Sequence, residues 1–222
     1  GAVKEEVERL NPSKVIILGG EGAIKAEVEQ ELKDAGFMTE RIAGQTRSET
    51  ATLLANKMNL TTNKAIIVNG LDYRDALAVA SFAATEGLPI LLTLPNSLRE
   101  VTKEALNSLG ITETIVVGGT GVVSEEVFNQ LPNPTRVSGA DRYLTTVELF
   151  KYFNPTSDLI YVATGRGFAD ALTGATLAAK HNTGILLIRD PIPPVIEQYI
   201  NTSDIKRIRL FGGKTAISDD KL

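Results

Sequence analysis

The chain repeats itself with a period of about 95 residues, and this repetition limits the fold more than any other feature of the sequence. A unit that recurs folds in the same way each time, so the chain is expected to be an array of copies of one module. The recurring segments are 41–44 with 136–139, 75–77 with 170–172, 90–92 with 185–187, and the glycine pairs Gly19-Gly20, Gly118-Gly119 and Gly212-Gly213.

The repeat divides the chain into three unequal parts. We expect residues 1–38 to correspond to the C-terminal half of a module, 39–132 to form a complete module, and 133–222 to form a module that lacks its last helix. Pro132 and Pro134 mark the second boundary, because two prolines so close together interrupt both helices and strands.

Within each copy, short apolar segments alternate with helical ones. This order, with strands that are apolar on both faces, is typical of a mostly parallel sheet flanked by helices, so we predict an α/β fold. In the complete copy we expect helices over 47–58, 74–86, 98–109 and 125–131, and strands over 65–68, 90–93 and 114–117.

Three helix starts carry capping residues. Thr46 and Ser97 are each followed three residues later by a glutamate, the pattern of a capping box, and Asp141 stands at the position that matches Thr46. These residues predict where the helices of the two larger copies begin.

Composition excludes several classes of site. The net charge of −4 argues against a strongly basic surface for nucleic acid, and the absence of cysteine excludes disulfides, thiolate metal sites and a cysteine nucleophile. His181 is the single histidine, so a histidine cluster is excluded as well. The apolar runs are far shorter than the roughly 20 residues of a membrane-spanning helix.

The glycine pairs resemble nucleotide-binding loops only in part. Gly213-Lys214-Thr215 matches the end of such a loop, but Ile208 stands where its first glycine belongs, and the lysine does not recur. A pair present after all three apolar strands is better explained as a tight turn that requires a positive φ.

Asp75 and Asp170 follow a strand and lie in the first turn of a helix. Each can stabilise the N-terminus of that helix, or it can be a polar ligand-binding group at the carboxyl end of a parallel strand. Both interpretations stay open, and no second carboxylate recurs beside the pair.

Arg47 and Arg142 occupy the first turn of equivalent helices, where a cation opposes the helix dipole. Their recurrence favours a use that offsets this cost: an internal salt bridge, an interface contact or an anionic ligand. Because a helix N-terminus also offers free N–H groups, an arginine there would complete an anion site. Tyr143 would add a stacking face beside Arg142, whereas Ser48 replaces it in the other copy.

The segment 136–143, followed by 168–172, 185–187 and the Gly212-Gly213 turn, resembles the cell wall binding repeat 2 family of Gram-positive surface proteins and autolysins. The resemblance covers nearly the whole chain. The 39–132 copy departs from the family pattern at Thr46 and Ser48, where the family has an aspartate and an aromatic residue.

The resemblance implies Toprim-like modules that pack in threes around a pseudo-threefold axis. It implies a secreted protein that attaches to the cell wall through an anionic glycopolymer, teichoic-acid-like or a phosphate-bearing polysaccharide. Catalytic domains are separate from such repeats, so we expect no catalytic residue, metal, cofactor, nucleic acid or membrane span. The expected ligand-binding residues are Arg47, Arg142, Tyr143, Asp141, Asp75 and Asp170.

Two other functions compete with wall binding. A Mg²⁺-dependent Toprim-type enzyme would use Asp75 and Asp170, but its metal site needs further carboxylates. The repeat does not supply them consistently, because the position of Asp72 is occupied by Gly167 in the other copy. A structural assembly module would instead bury the arginines in interfaces between modules.

Overall fold

The computed structural model describes residues 1–165, 167 and 169–213. Phe168 and residues 214–222, which include Lys214 and Thr215, lie outside the described residues. In the described chain, helices alternate with strands, and the strands that pair within each of the three sheets are parallel. The prediction of repeated α/β modules with mostly parallel sheets flanked by helices is therefore confirmed.

The N-terminal sheet crosses the first repeat boundary. Strand β1 pairs in parallel with β2, and Lys14 lies opposite Met38. Residues 1–38 thus join the next copy through backbone hydrogen bonds. The elements are α1 (Ala2–Leu10), β1 (Lys14–Leu18), α2 (Ala26–Asp34) and β2 (Met38–Ile42).

The second sheet has the strand order β4-β3-β5-β6. Its last strand lies beyond Pro132, yet Val137 is opposite Val117 of β5. The strands that open the two larger repeats, β2 and β6, therefore complete the preceding sheets, so the first two sheets extend past the boundaries of their repeats. The elements are α3 (Arg47–Lys57), β3 (Lys64–Asn69), α4 (Arg74–Glu86), β4 (Ile90–Thr93), α5 (Glu100–Ser108), β5 (Glu113–Val117), α6 (Glu125–Phe128) and β6 (Pro134–Val137).

Strand β3 is buried on both faces, as its run of apolar residues predicts. Ile66 and Val68 belong to the core on the side of α4, whereas Ala65 and Ile67 belong to the core on the side of α3 and α5. This alternation follows from the two-residue period of a strand, and it places helices on both faces of the sheet.

The third sheet has the order β8-β7-β9, and its module packs on the second through α4, α7 and α8. Phe82 of α4 contacts the rings of Phe150 and Phe153 in α7, at centroid distances of 5.1 and 4.9 Å. The two modules therefore share one apolar core. The elements are α7 (Arg142–Phe153), β7 (Leu159–Thr164), α8 (Ala169–Lys180), β8 (Ile185–Ile188), α9 (Pro194–Thr202) and β9 (Arg207–Phe211).

The glycine turns agree with their predicted geometry. Gly19, Gly118 and Gly212, the first residues of the three pairs, have φ angles of 113°, 111° and 122°. A side chain is strained in this conformation, so glycine is needed at each of these strand ends.

One predicted helix start is wrong. Ser97 does not cap α5, which begins at Glu100 without a side-chain cap. Instead, the backbone carbonyl of Ser97 accepts hydrogen bonds from the N–H of Leu94 and the hydroxyl of Thr93. These contacts fix residue 97 in a turn ahead of the helix.

Candidate functional site

The helices that carry Arg47 and Arg142 start from the same tight loop. The hydroxyl of Thr50 accepts a hydrogen bond from the N–H of Gly44, and Thr145 does the same for Gly139, both at 3.0 Å. A Cβ atom at Gly139 would lie 2.3 Å from the Cβ of Leu144. Only glycine fits here, and the loop fixes where each helix begins.

Asp141 caps α7 by accepting hydrogen bonds from the N–H groups of Tyr143 and Leu144, both at 2.9 Å. In α3, the hydroxyl of Thr46 accepts from the N–H of Glu49 at 3.2 Å. Asp141 is thus the helix cap that its position predicts, and it already binds two of the N–H groups at the start of α7.

Both arginines reach the end of the next strand along the chain. Nη1 of Arg47 donates to the carbonyl oxygen of Gly70 at 2.6 Å, and Nη1 of Arg142 donates to that of Gly165 at 3.3 Å. Arg47 is exposed, and Arg142 is half-buried. Each arginine therefore ties a helix start to a strand end while part of its guanidinium group stays available.

Asp75 lies in the first turn of α4, the helix that follows β3, and 9% of its surface is exposed. A Cβ atom at Gly118 would be 2.8 Å from its Oδ2 atom, so the glycine turn after β5 leaves room for this carboxylate. Burial, and then the negative charge of Asp72, raise the pKa of Asp75 to about 6, against the opposing effect of Arg74 and Arg142.

The charge of Arg142 acts on carboxylates of the neighbouring module. The charge of Arg142 lowers the pKa of both Asp72 and Asp75, although the hydrogen bonds from Arg74 are the main cause for Asp72. Asp170, the counterpart of Asp75, lies half-buried in its own module. Arg47 contacts Gly70 rather than these carboxylates.

Tyr143 is buried, with 8% of its surface exposed, so its ring offers little free face. A Cβ atom at Gly165 would lie 2.5 Å from its Cε1 atom. The guanidinium carbons of Arg142 and Arg189 lie 5.9 and 5.5 Å from the ring centroid. Sequence comparison missed Arg189 because Leu94 takes its place in the other copy.

Arg41 and Arg136, the first residues of the recurring segments 41–44 and 136–139, hold the glycine turns. Nη1 of Arg136 donates to the carbonyl oxygens of Gly118 and Val123, at 3.0 and 2.9 Å. Arg41 donates in the same way to Gly19 and Ile24. Their recurrence has a structural cause, because each one ties a strand to the turn of its neighbour.

Two further observations concern the described residues alone. No three or more His, Cys, Asp or Glu side chains among them lie close enough together to hold a metal ion. None of their helices combines the length and the apolar character needed to cross a bilayer.

Two solved structures with the same fold come from one bacterium. Cwp6 from Clostridium difficile superposes on 96% of this chain with a TM-score of 0.88 and 29% sequence identity, and the match covers 35% of that protein. Cwp8 from the same organism superposes on 94% with a TM-score of 0.82 and 27% identity, over 37% of its chain.

Two curated relatives come from Bacillus subtilis (strain 168). N-acetylmuramoyl-L-alanine amidase LytC is 35% identical over 97% of this chain and 43% of its own length. Amidase enhancer is 31% identical over 97% of this chain and 30% of its own length. The chain thus spans less than half of each relative. Residues 41–128 and 136–221 each match the profile of cell wall binding domain 2 (CWB2), and the chain belongs to this family.

Proposed function

We propose that the chain is a non-catalytic module that anchors a longer, secreted protein to the cell wall by binding an anionic glycopolymer. Family membership supports wall binding in general. The observation that carries the anionic ligand is the recurrent arginine: in the described chain, Arg47 and Arg142 each bind a backbone carbonyl and have no carboxylate partner within salt-bridge distance.

Arginine suits this ligand because its planar guanidinium group donates in a fork that fits phosphate oxygens. A net charge of −4 does not prevent such binding when the cations are grouped at one edge of the fold. Copies of the module along one polymer would add avidity, so each single contact can be weak.

The modules are also proposed to pack with a further copy in a pseudo-threefold arrangement. On α4, Leu77 and Phe82 are 7% and 2% exposed, because α7 and α8 cover that face. The matching residues of α8, Leu172 and Leu177, are 53% and 40% exposed. The same face is thus covered in one copy and open in the next, and another module offering the equivalents of α7 and α8 would cover it.

A structural assembly role is the second candidate. It is favoured by the position of Arg142, whose charge acts on Asp72 and Asp75 of the neighbouring module. If this were its sole role, Arg142 would be needed for the packing of the modules and not for the polymer.

The experiment that separates these functions is a pull-down of the chain with purified Gram-positive cell walls, untreated or stripped of secondary polymers. We expect binding to untreated walls and its loss on stripped walls. Equal binding to both kinds of wall, or to neither, contradicts a polymer ligand. The Lys180→Gln variant serves as the charge control, because Lys180 is the exposed last residue of α8, a helix that carries neither recurrent arginine.

A further inference from the structure

Arg142 and Arg189 meet at one aromatic ring. Their guanidinium carbons lie 5.9 and 5.5 Å from the centroid of Tyr143, although the two residues are 47 positions apart in sequence. Arg142 begins α7, and Arg189 directly follows β8. The carboxyl end of the third sheet thus carries two arginines on one buried tyrosine.

Neither arginine forms an ion pair with a carboxylate within the described part of the chain. Arg142 donates to the carbonyl of Gly165, and Arg189, which is exposed, contacts the Tyr143 ring. By contrast, Arg74, Arg136 and Arg207 each form an ion pair with a carboxylate. Two like charges close to one ring repel each other, so an anion bound to both arginines would stabilise them.

The ring prepares the arginines for such a ligand. A guanidinium group that lies over an aromatic face is held by cation–π attraction, while its in-plane N–H groups stay free to donate. The negative charges of Asp72 and Asp75 act on Arg142 and would weaken its attraction for an anion if it bound the anion without help. Arg189 supplies the additional positive charge.

The other copy provides an internal comparison. Its residues at the positions of Tyr143 and Arg189 are Ser48 and Leu94, so both members of the ring–arginine pair are absent together. Of the residues Arg142, Tyr143 and Arg189, only Arg142 has a cationic counterpart in that copy, and this counterpart is Arg47. The two copies therefore present different charges at the same place in the fold.

We propose that Arg189 and Arg142 together bind one phosphate group of the wall polymer, and that the 133–222 copy is for this reason the high-affinity site of the chain. This inference rests on the proposed function, since it assigns the residues that bind the polymer. Arg189 is the specificity-determining residue, and the 39–132 copy binds more weakly through Arg47.

The competing explanation is that Arg189 only covers Tyr143. The Arg189→Leu variant distinguishes phosphate binding from this structural role, because leucine is the residue of the other copy and keeps an apolar cover over the ring. Arg189→Lys keeps the charge but loses the planar fork, so it is expected to recover only part of the binding. Lys180→Leu, at the exposed end of α8, is the control for loss of one positive charge.

The test measures binding isotherms of the parent chain and its variants on purified walls, with melting temperatures taken on the same samples. A second arm uses walls treated with cold hydrofluoric acid, which cleaves phosphodiesters. We expect Arg189→Leu and Arg142→Gln each to weaken binding at least tenfold, and Lys180→Leu less than twofold. For the Arg142→Gln/Arg189→Leu double variant, the fold-decrease in affinity is expected to be smaller than the product of the two single fold-decreases, because both arginines bind one group.

Three results would overturn the inference. If Arg189→Leu binds like Lys180→Leu while Arg142→Gln is impaired, the proposed function stands and the role of Arg189 is wrong. If acid-treated walls are bound as well as untreated ones, the ligand is not a phosphate. If neither the parent nor any variant binds walls, the proposed function fails and this inference fails with it.

Discussion

Phe82 of α4 stacks on Phe153 of α7, with ring centroids 4.9 Å apart and ring planes within 8° of parallel. This contact crosses from one module into the next, where Gly184 leaves the space for the Phe82 ring: a Cβ atom at Gly184 would lie 2.2 Å from its Cζ atom. The two larger modules are thus joined through a shared core rather than through a surface contact.

Phe82→Ala should destabilise the chain by about 3–5 kcal/mol, because it removes a buried ring and leaves a cavity between the modules. The matched control is Leu177→Ala at the equivalent position of α8, which is 40% exposed and should cost much less. Chemical denaturation of both variants checks this. Equal losses would show that the Phe82 contacts do not join the modules.

Asp75→Asn should stabilise the chain at neutral pH. The pKa of Asp75 rises from 3.8 to about 6 on folding, so its neutral form is favoured and its ionisation costs stability as pH rises from about 4 to 6. A two-unit shift corresponds to about 3 kcal/mol at most, so we expect a gain of ~1–3 kcal/mol at pH 7.5. The groups that act on Asp75 are Asp72, Arg74 and Arg142.

The gain should shrink as pH falls and vanish near pH 4, where Asp75 is protonated in the parent. Urea unfolding at pH 4, 6 and 7.5 measures it, and Asp170→Asn, at the half-buried counterpart, is the control. A variant that is less stable than the parent at pH 7.5 would mean that the ionised carboxylate is used in the fold.

Gly139→Ala should destabilise the chain by ~1–3 kcal/mol or more, since its Cβ atom would lie 2.3 Å from that of Leu144 and 2.4 Å from the backbone of Leu144. Gly119→Ala is the matched control, because no atom lies within 4 Å of the Cβ position there. Thermal unfolding of the two variants decides the matter, and similar melting temperatures would argue against a tight loop at Gly139.

The sequence predicts the fold well where local chemistry decides it. The apolar strand 65–68, the positive φ of Gly118 and the cap at Asp141 follow from residue type and spacing alone. The pairing of β6 with β5 does not, because the segment that opens a repeat carries no sign of which sheet it completes. The prediction for Ser97 is wrong because a serine can cap a helix or lie in a turn, and its sequence context does not distinguish the two.

The candidate site was predicted only in part. Recurrence identified Arg47 and Arg142 but could not show that each one binds the carbonyl at a strand end, a contact made 23 residues away. Recurrence does not identify Arg189 as a site residue, because it has no counterpart in the other copy. Its contact with Tyr143 depends on how β8 and α7 pack together. Comparing copies for joint differences, such as Tyr143 with Arg189 against Ser48 with Leu94, would have found it.

The Arg47→Gln/Arg142→Gln double variant, measured for both wall binding and melting temperature, tests the central claim most directly. Each arginine holds one carbonyl but also opposes a helix dipole, so the net change in stability should be small. Each lost charged contact should cost about 1.5–3 kcal/mol of binding, and parent binding should fall as salt rises. The account predicts that a folded double variant binds walls at least tenfold more weakly. A variant that binds like the parent, or whose binding falls only with its folded fraction, would contradict it.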